Sequence, residues 1–109
     1  MKIKGRVYIA GPMRGVKFYN FPAFDAAALE FRRKGWEVVN PAELDRLEHV
    51  HEYSDNSGIP FLRQAMKRDL SAICDCTAIA LLPGWEKSNG THVELTLARL
   101  LQLEEIICE

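Results

Sequence analysis

Apolar residues recur along this chain at two spacings, and each spacing predicts a different element. Val7-Tyr8-Ile9-Ala10 is a continuous apolar run ended by Gly11-Pro12, which predicts a buried strand entering a loop. Trp36 to Asn40, closed by Pro41, predicts a second strand. Thr77 to Leu82, ended by Pro83-Gly84, predicts a third and the most apolar one, and Glu105 to Cys108 a short last strand. Helical spacing fills the intervals. One helix runs from about Pro22 to Lys34, with Asn20 as its cap and Gly35 as its stop. A second opens at Pro60 and reaches about Cys74, and a third runs from Thr91 to Leu103. The polar stretch Glu48 to Gly58 predicts a long mobile loop.

Strands that alternate with helices, and that are apolar throughout, predict a parallel sheet covered on both faces. The expected fold is a single-domain, three-layer α/β/α unit with a Rossmann- or flavodoxin-like sheet of four to five strands. Ligands of such folds gather at the carboxyl ends of the strands, near the point where strand order reverses. That directs attention to Gly11–Asn20, after the first strand, and to Pro83–Gly90, after the third.

Composition narrows the picture further. With 109 residues the chain is one domain, and 48% apolar content excludes disorder. Fourteen basic against fifteen acidic residues lack the excess of a nucleic-acid binder. No apolar run approaches a membrane span, and the N-terminus lacks a signal peptide's long apolar region. Cys74, Cys76 and Cys108 are an odd number without secretory context, which predicts reduced thiols and a cytoplasmic location. Cys74-x-Cys76 is not C-x-x-C, and His49 and His51 lack a matching ligand cluster. No metal and no cofactor is expected.

The helical wheels carry the chemistry. On the Pro60 helix Phe61, Leu62, Ala65, Met66, Leu70, Ala72 and Ile73 fill one half, and Asp69 falls near its middle. On the Thr91 helix Val93, Leu95, Leu97, Ala98, Leu100 and Leu101 define the apolar arc, and Glu94 lies near its centre. A buried carboxylate needs a partner, a raised pKa or a wet cleft. A salt bridge to a neighbouring arginine would account for Asp69, and the dipole of a helix's first turn for Glu94. Together, each beside a ligand-prone loop, they suit glycosidic chemistry, with one nucleophile and one group that assists departure.

The two loops suit an anion. Gly11-Pro12-Met13-Arg14-Gly15 has two glycines that would let backbone N–H groups approach a ligand, and Arg14 offers a phosphate a charged fork. Ser88-Asn89-Gly90 precedes the last helix, where backbone N–H groups point outward. An ordinary turn and an ordinary helix cap would leave the same residues.

Tyr8-Ile9-Ala10-Gly11-Pro12-Met13-Arg14-Gly15, then Arg68-Asp69-Leu70, then Leu82-Pro83-Gly84-Trp85 with Ser88-x-Gly90-x-x-x-Glu94, resemble the nucleoside 2-deoxyribosyltransferase superfamily. The likeness runs from Val7 to Ile107 and is nearest to small phage and bacterial members, with the deoxynucleoside 5′-monophosphate N-glycosidases as the branch with a comparable loop. The resemblance implies that Glu94 attacks the anomeric carbon, that Asp69 assists departure of the base, and that Tyr8 orients them. It implies that Gly11, Met13, Arg14, Gly15, Ser88, Asn89 and Gly90, with Trp85, hold the substrate and its 5′-phosphate. Pro12 stands where that branch commonly has a serine, and Thr77 where relatives often carry an aspartate.

The expected function is cleavage of the base–deoxyribose bond of a 2′-deoxynucleoside 5′-monophosphate through a glutamyl-sugar intermediate. Transfer of the sugar to another base, nucleotide binding without chemistry, and hydrolysis of NAD-like nucleotides are the alternatives. The partner is a small nucleotide, with no nucleic-acid polymer and no membrane. The leucine-rich last helix, apolar on several sides, and the resemblance imply a homodimer or a higher even-numbered assembly.

Overall fold

The structure, a computed structural model, describes residues 3–48 and 58–109 of the chain. The first apolar run forms β1 (Arg6–Ala10), and its last four residues are all buried. Alternation then divides it between two faces. Tyr8 and Ala10 pack with Ile79, Leu81, Ile73, Leu95 and Ala98, while Ile9 packs with Phe21, Phe24, Ala28 and Ala42. Val7 joins Phe31, Ala78 and Ala80.

Among the described residues three more strands join the sheet: β2 (Glu37–Val39), β3 (Ala78–Leu81) and β4 (Glu104–Ile107). All pairings are parallel and the order is β2-β1-β3-β4. Among the described residues four α-helices cover the sheet: α1 (Phe21–Arg33), α2 (Pro41–Leu47), α3 (Ile59–Ile73) and α4 (Asn89–Leu100). The architecture is the three-layer α/β/α domain with a four-stranded parallel sheet. The chain leaves β1 for β2, then returns to the far side of β1 for β3. Strand order therefore reverses between β1 and β3, whose carboxyl ends open a crevice.

Local chemistry explains both the agreements and the departures. Helix α1 buries Phe21, Phe24, Ala28 and Phe31, one stripe at helical spacing. Gly35 stops it as expected, at φ +94°, with its N–H donating to the Arg32 carbonyl. Asn20 occupies the N-cap position of α1 as expected, but its side chain makes no capping bond: the residue lies in the left-handed region at φ 58° and donates its side-chain amide to the Pro12 carbonyl, 2.8 Å away. Pro41 does not merely close a strand. The Asn40 side chain accepts from the Ala42 N–H at 3.0 Å, Pro41 takes the first helical position, and α2 follows.

Helix α4 stops at Leu100 rather than Leu103, because Gln102 turns to φ 60°. Its buried stripe is Thr91, Glu94, Leu95 and Ala98, leaving Val93, Leu100 and Leu101 exposed instead of in the core. The stretch His49–Ser57, with both histidines and most of the expected loop, lies outside the described residues. Among the described residues no helix is long and apolar enough to cross a membrane.

Candidate active site

A cleft of about 610 Å³ opens at the carboxyl ends of β1 and β3, within the range of small-molecule sites. Gly11, Pro12, Met13 and Arg14 line it from the loop after β1, and Lys87 and Ser88 from the segment after β3. Helix α4 adds Asn89, Gly90, Thr91, Val93 and Glu94. Phe61, Leu62, Ala65, Met66 and Asp69 of α3 form the opposite wall. Both carboxylates singled out by the wheels thus face one cavity from two helices. Each is nearly buried, Asp69 6% and Glu94 7% exposed.

Tyr8 reaches them from below. It is fully buried in the sheet, and its hydroxyl donates a hydrogen bond to Glu94 Oε2. Burial pushes the Glu94 carboxyl up to about 8; the Tyr8 hydroxyl pulls it down, and the charge of Asp69 pushes it further up. The dipole account of Glu94 does not hold, because α4 begins at Asn89 and Glu94 lies in its second turn. Burial also raises Asp69, against the pull of Arg68 and of a Tyr8 hydrogen bond. Tyr8 itself is raised well above the usual phenol range by burial, then by the two carboxylates. The centre therefore holds protons readily at neutral pH.

The salt bridge allowed for Asp69 exists: Arg68 Nε donates to Asp69 Oδ1 at 2.8 Å. The same guanidinium meets Glu48 Oε1 at 2.9 Å and Asp45 Oδ1 of α2 at 2.8 Å, the latter too bent for a well-formed hydrogen bond. Burial works against the cation, but its carboxylate partners outweigh that and hold it charged.

The remaining sequence-predicted residues divide. Ser88 caps α4, its hydroxyl accepting from the Thr91 N–H at 3.2 Å and from the Thr91 hydroxyl at 3.0 Å. Gly11 answers to packing, since a Cβ there would stand 2.8 Å from Cβ of Leu82. Gly15 and Trp85 are not among the residues lining the cleft. Gly15 is exposed in a turn at φ +79°, and Trp85 packs on the α3–α4 face, its ring 5.5 Å from that of His92. Thr77 belongs to the opposite end of the sheet, where its hydroxyl accepts from the Arg6 N–H at 3.1 Å. Its departure from the related pattern therefore lies far along β3 from the cleft.

Several lining residues carried no sequence signal. Tyr19 enters the cleft from a 3-10 turn, Lys17–Asn20, in which Phe18, Tyr19 and Asn20 all have φ between 55° and 58°. Three consecutive left-handed residues without glycine are strained. The Tyr19 ring meets Phe61 edge-on at 6.3 Å and Phe21 at 5.8 Å, which fixes an aromatic wall. Lys87, from the turn after β3, adds a second cation to the lining besides Arg14 of the first loop. Among the described residues no group of three or more His, Cys, Asp or Glu is placed to hold a metal ion.

Comparison with known proteins adds a family and no activity. Residues 5–107 match the family described as domain of unknown function DUF4406, and the chain belongs to it. No curated protein matches the chain.

Proposed function

For this member of the DUF4406 family we propose an N-glycosidase that cleaves the base–deoxyribose bond of 2′-deoxynucleoside 5′-monophosphates. One observation carries the reading: two buried carboxylates from different helices face a single cleft, and a buried phenol beneath it donates to one of them, Glu94. Arg14, Lys87 and the start of α4 form a cationic rim that suits the 5′-phosphate. The aromatic and apolar wall of Tyr19, Phe61 and Met66 suits a base.

In the working form a proton sits on Asp69 and Glu94 is anionic. A Glu94 oxygen attacks C1′ while the C1′–N bond breaks, and its electron pair leaves with the base, which takes the proton from Asp69. Water then attacks C1′, gives a proton to Asp69, and the Glu94 ester bond breaks. Tyr8 stays a hydrogen-bond donor throughout, since its raised pKa keeps it protonated. The enzyme works in the cytoplasm, with its three thiols reduced. Exposed Val93, Leu100 and Leu101 on and just after α4 support assembly in even-numbered copies, with light scattering at micromolar concentration as the check.

The test is incubation of the purified protein with each deoxynucleoside monophosphate, natural and base-modified, followed by chromatography. Free base together with deoxyribose 5-phosphate supports hydrolysis. Base exchange without free sugar phosphate moves the assignment to a transferase. Binding without release of any base overturns the catalytic reading.

A further inference from the structure

Behind the cleft, one arginine is surrounded by more negative charge than it can neutralise. Arg68 of α3 touches Asp69 through Nε, Asp45 through Nη2 and Glu48 through Nη1, at 2.8, 2.8 and 2.9 Å. Asp45 is 1% exposed, so its carboxylate is held in the interior for this contact, although α2 has a solvent face available. An arginine devoted to one carboxylate holds that carboxylate ionised. That would disable Asp69 as a proton donor. A guanidinium divided among three carboxylates orients each while giving none its full charge.

We propose that Asp45, assisted by Glu48, is a positioning residue for Asp69: by competing for the Arg68 guanidinium it leaves Asp69 oriented by that cation yet able to take a proton. The proposal rests on the reading of Asp69 as proton donor. Among the described residues the groups around Asp69 are Arg68 on its own helix, Tyr8 from β1, Glu94 from α4, Asp45 and Glu48 from α2 and its end, and Tyr19 from the turn before α1. Of these only Asp45 and Glu48 share the arginine with Asp69. Burial raises Asp45 against the pull of Arg68, and the charge of Asp69 raises it further; Coulomb coupling is mutual, so Asp45 acts on Asp69 in the same direction, as Glu48 does. A purely structural Asp45, tying α2 to α3, would affect stability and leave the titration of Asp69 alone.

The experiment follows the Asp69 carboxyl directly, by carbon-detected NMR titration of the whole chain without substrate. In Asp45→Asn its midpoint falls by about one pH unit, since repulsion is removed and the arginine is freed for Asp69. Asp45→Glu restores the wild-type midpoint. Arg68→Lys, which keeps the charge but loses the fork, moves the midpoint up instead. If Asp45→Asn does not fold, Glu48→Gln, at a partly exposed position, gives the same downward movement at smaller size. A midpoint that stays put in every folded variant overturns the proposal. Base release is measured separately: its absence, with the midpoints moving as stated, would remove the glycosidase reading and leave the charge sharing standing.

Discussion

The two faces of the sheet are built from alternate residues of the same strands, yet they are filled by different rules. Toward α1 and α2, β1 sends Val7 and Ile9 into a core of Phe21, Phe24, Ala28 and Phe31. Toward α3 and α4 it sends Tyr8, and the helices answer with Asp69 and Glu94 where a core side chain belongs. The core of the first face is apolar, and the buried polar groups on its side, Asn40 and Asp45, belong to α2 and its cap. The second buries two carboxyls and a phenol, which costs several kcal/mol unless they are protonated or paired. The difference separates a face that holds the fold from a face that keeps reactive groups poised.

If that division is right, the largest effect on turnover comes from the smallest change on the second face. Glu94→Gln keeps the shape and loses the anionic nucleophile, so base release falls by roughly four orders of magnitude, about 5 kcal/mol of barrier. Chromatographic rates for wild type and variant at equal folded concentration check this. Wild-type turnover in the variant would dissolve the distinction between the faces.

The reciprocal change lies on the first face. Phe24 is 1% exposed, and Phe24→Ala leaves a cavity beside Ile9 and Phe21 that costs about 3–5 kcal/mol. Urea denaturation measures the loss, while turnover per folded molecule stays at the wild-type level. A large fall in turnover with stability intact would mean that the apolar face also shapes the site.

A third effect has a sign that only the second face produces. Glu94 rests at about 8 in the folded protein, against about 4.5 for an ordinary glutamate. The folded state thus holds an extra proton between those values, and stability from this group is full below 4.5 and lost as pH rises through 8. Glu94→Gln has no such loss. Its stability relative to wild type therefore improves from pH 5 to pH 9, by on the order of 4 kcal/mol. Thermal or urea unfolding at the two pH values reads it, and a constant difference would show that Glu94 is ionised throughout.

Legibility in the sequence follows the same division. The strands β1 and β3 and the helices α1, α3 and α4 are visible because unbroken apolar runs and helical stripes follow directly from burial. Asp69 and Glu94 are visible because they violate those stripes. Helix α2 was open to detection through Asn40-Pro41, a cap followed by the residue that suits the first helical position, but seven residues give too short a period to see. Exposure of Val93, Leu100 and Leu101 was not legible, because a wheel reports which residues are apolar and not which side meets the sheet. Tyr19 and Asp45 reach the site through a strained turn and a long-range ion pair, and neither leaves a local pattern.

The central claim, that the face carrying Glu94 is where a sugar is held covalently, is tested most directly by rapid acid quench of protein turning over a deoxynucleoside monophosphate, followed by peptide mass mapping. The account predicts a deoxyribose-phosphate adduct on the peptide containing Glu94, placed on that residue by fragmentation and absent from Glu94→Gln. Base release with no adduct on Glu94, or with the adduct on another residue, would contradict it.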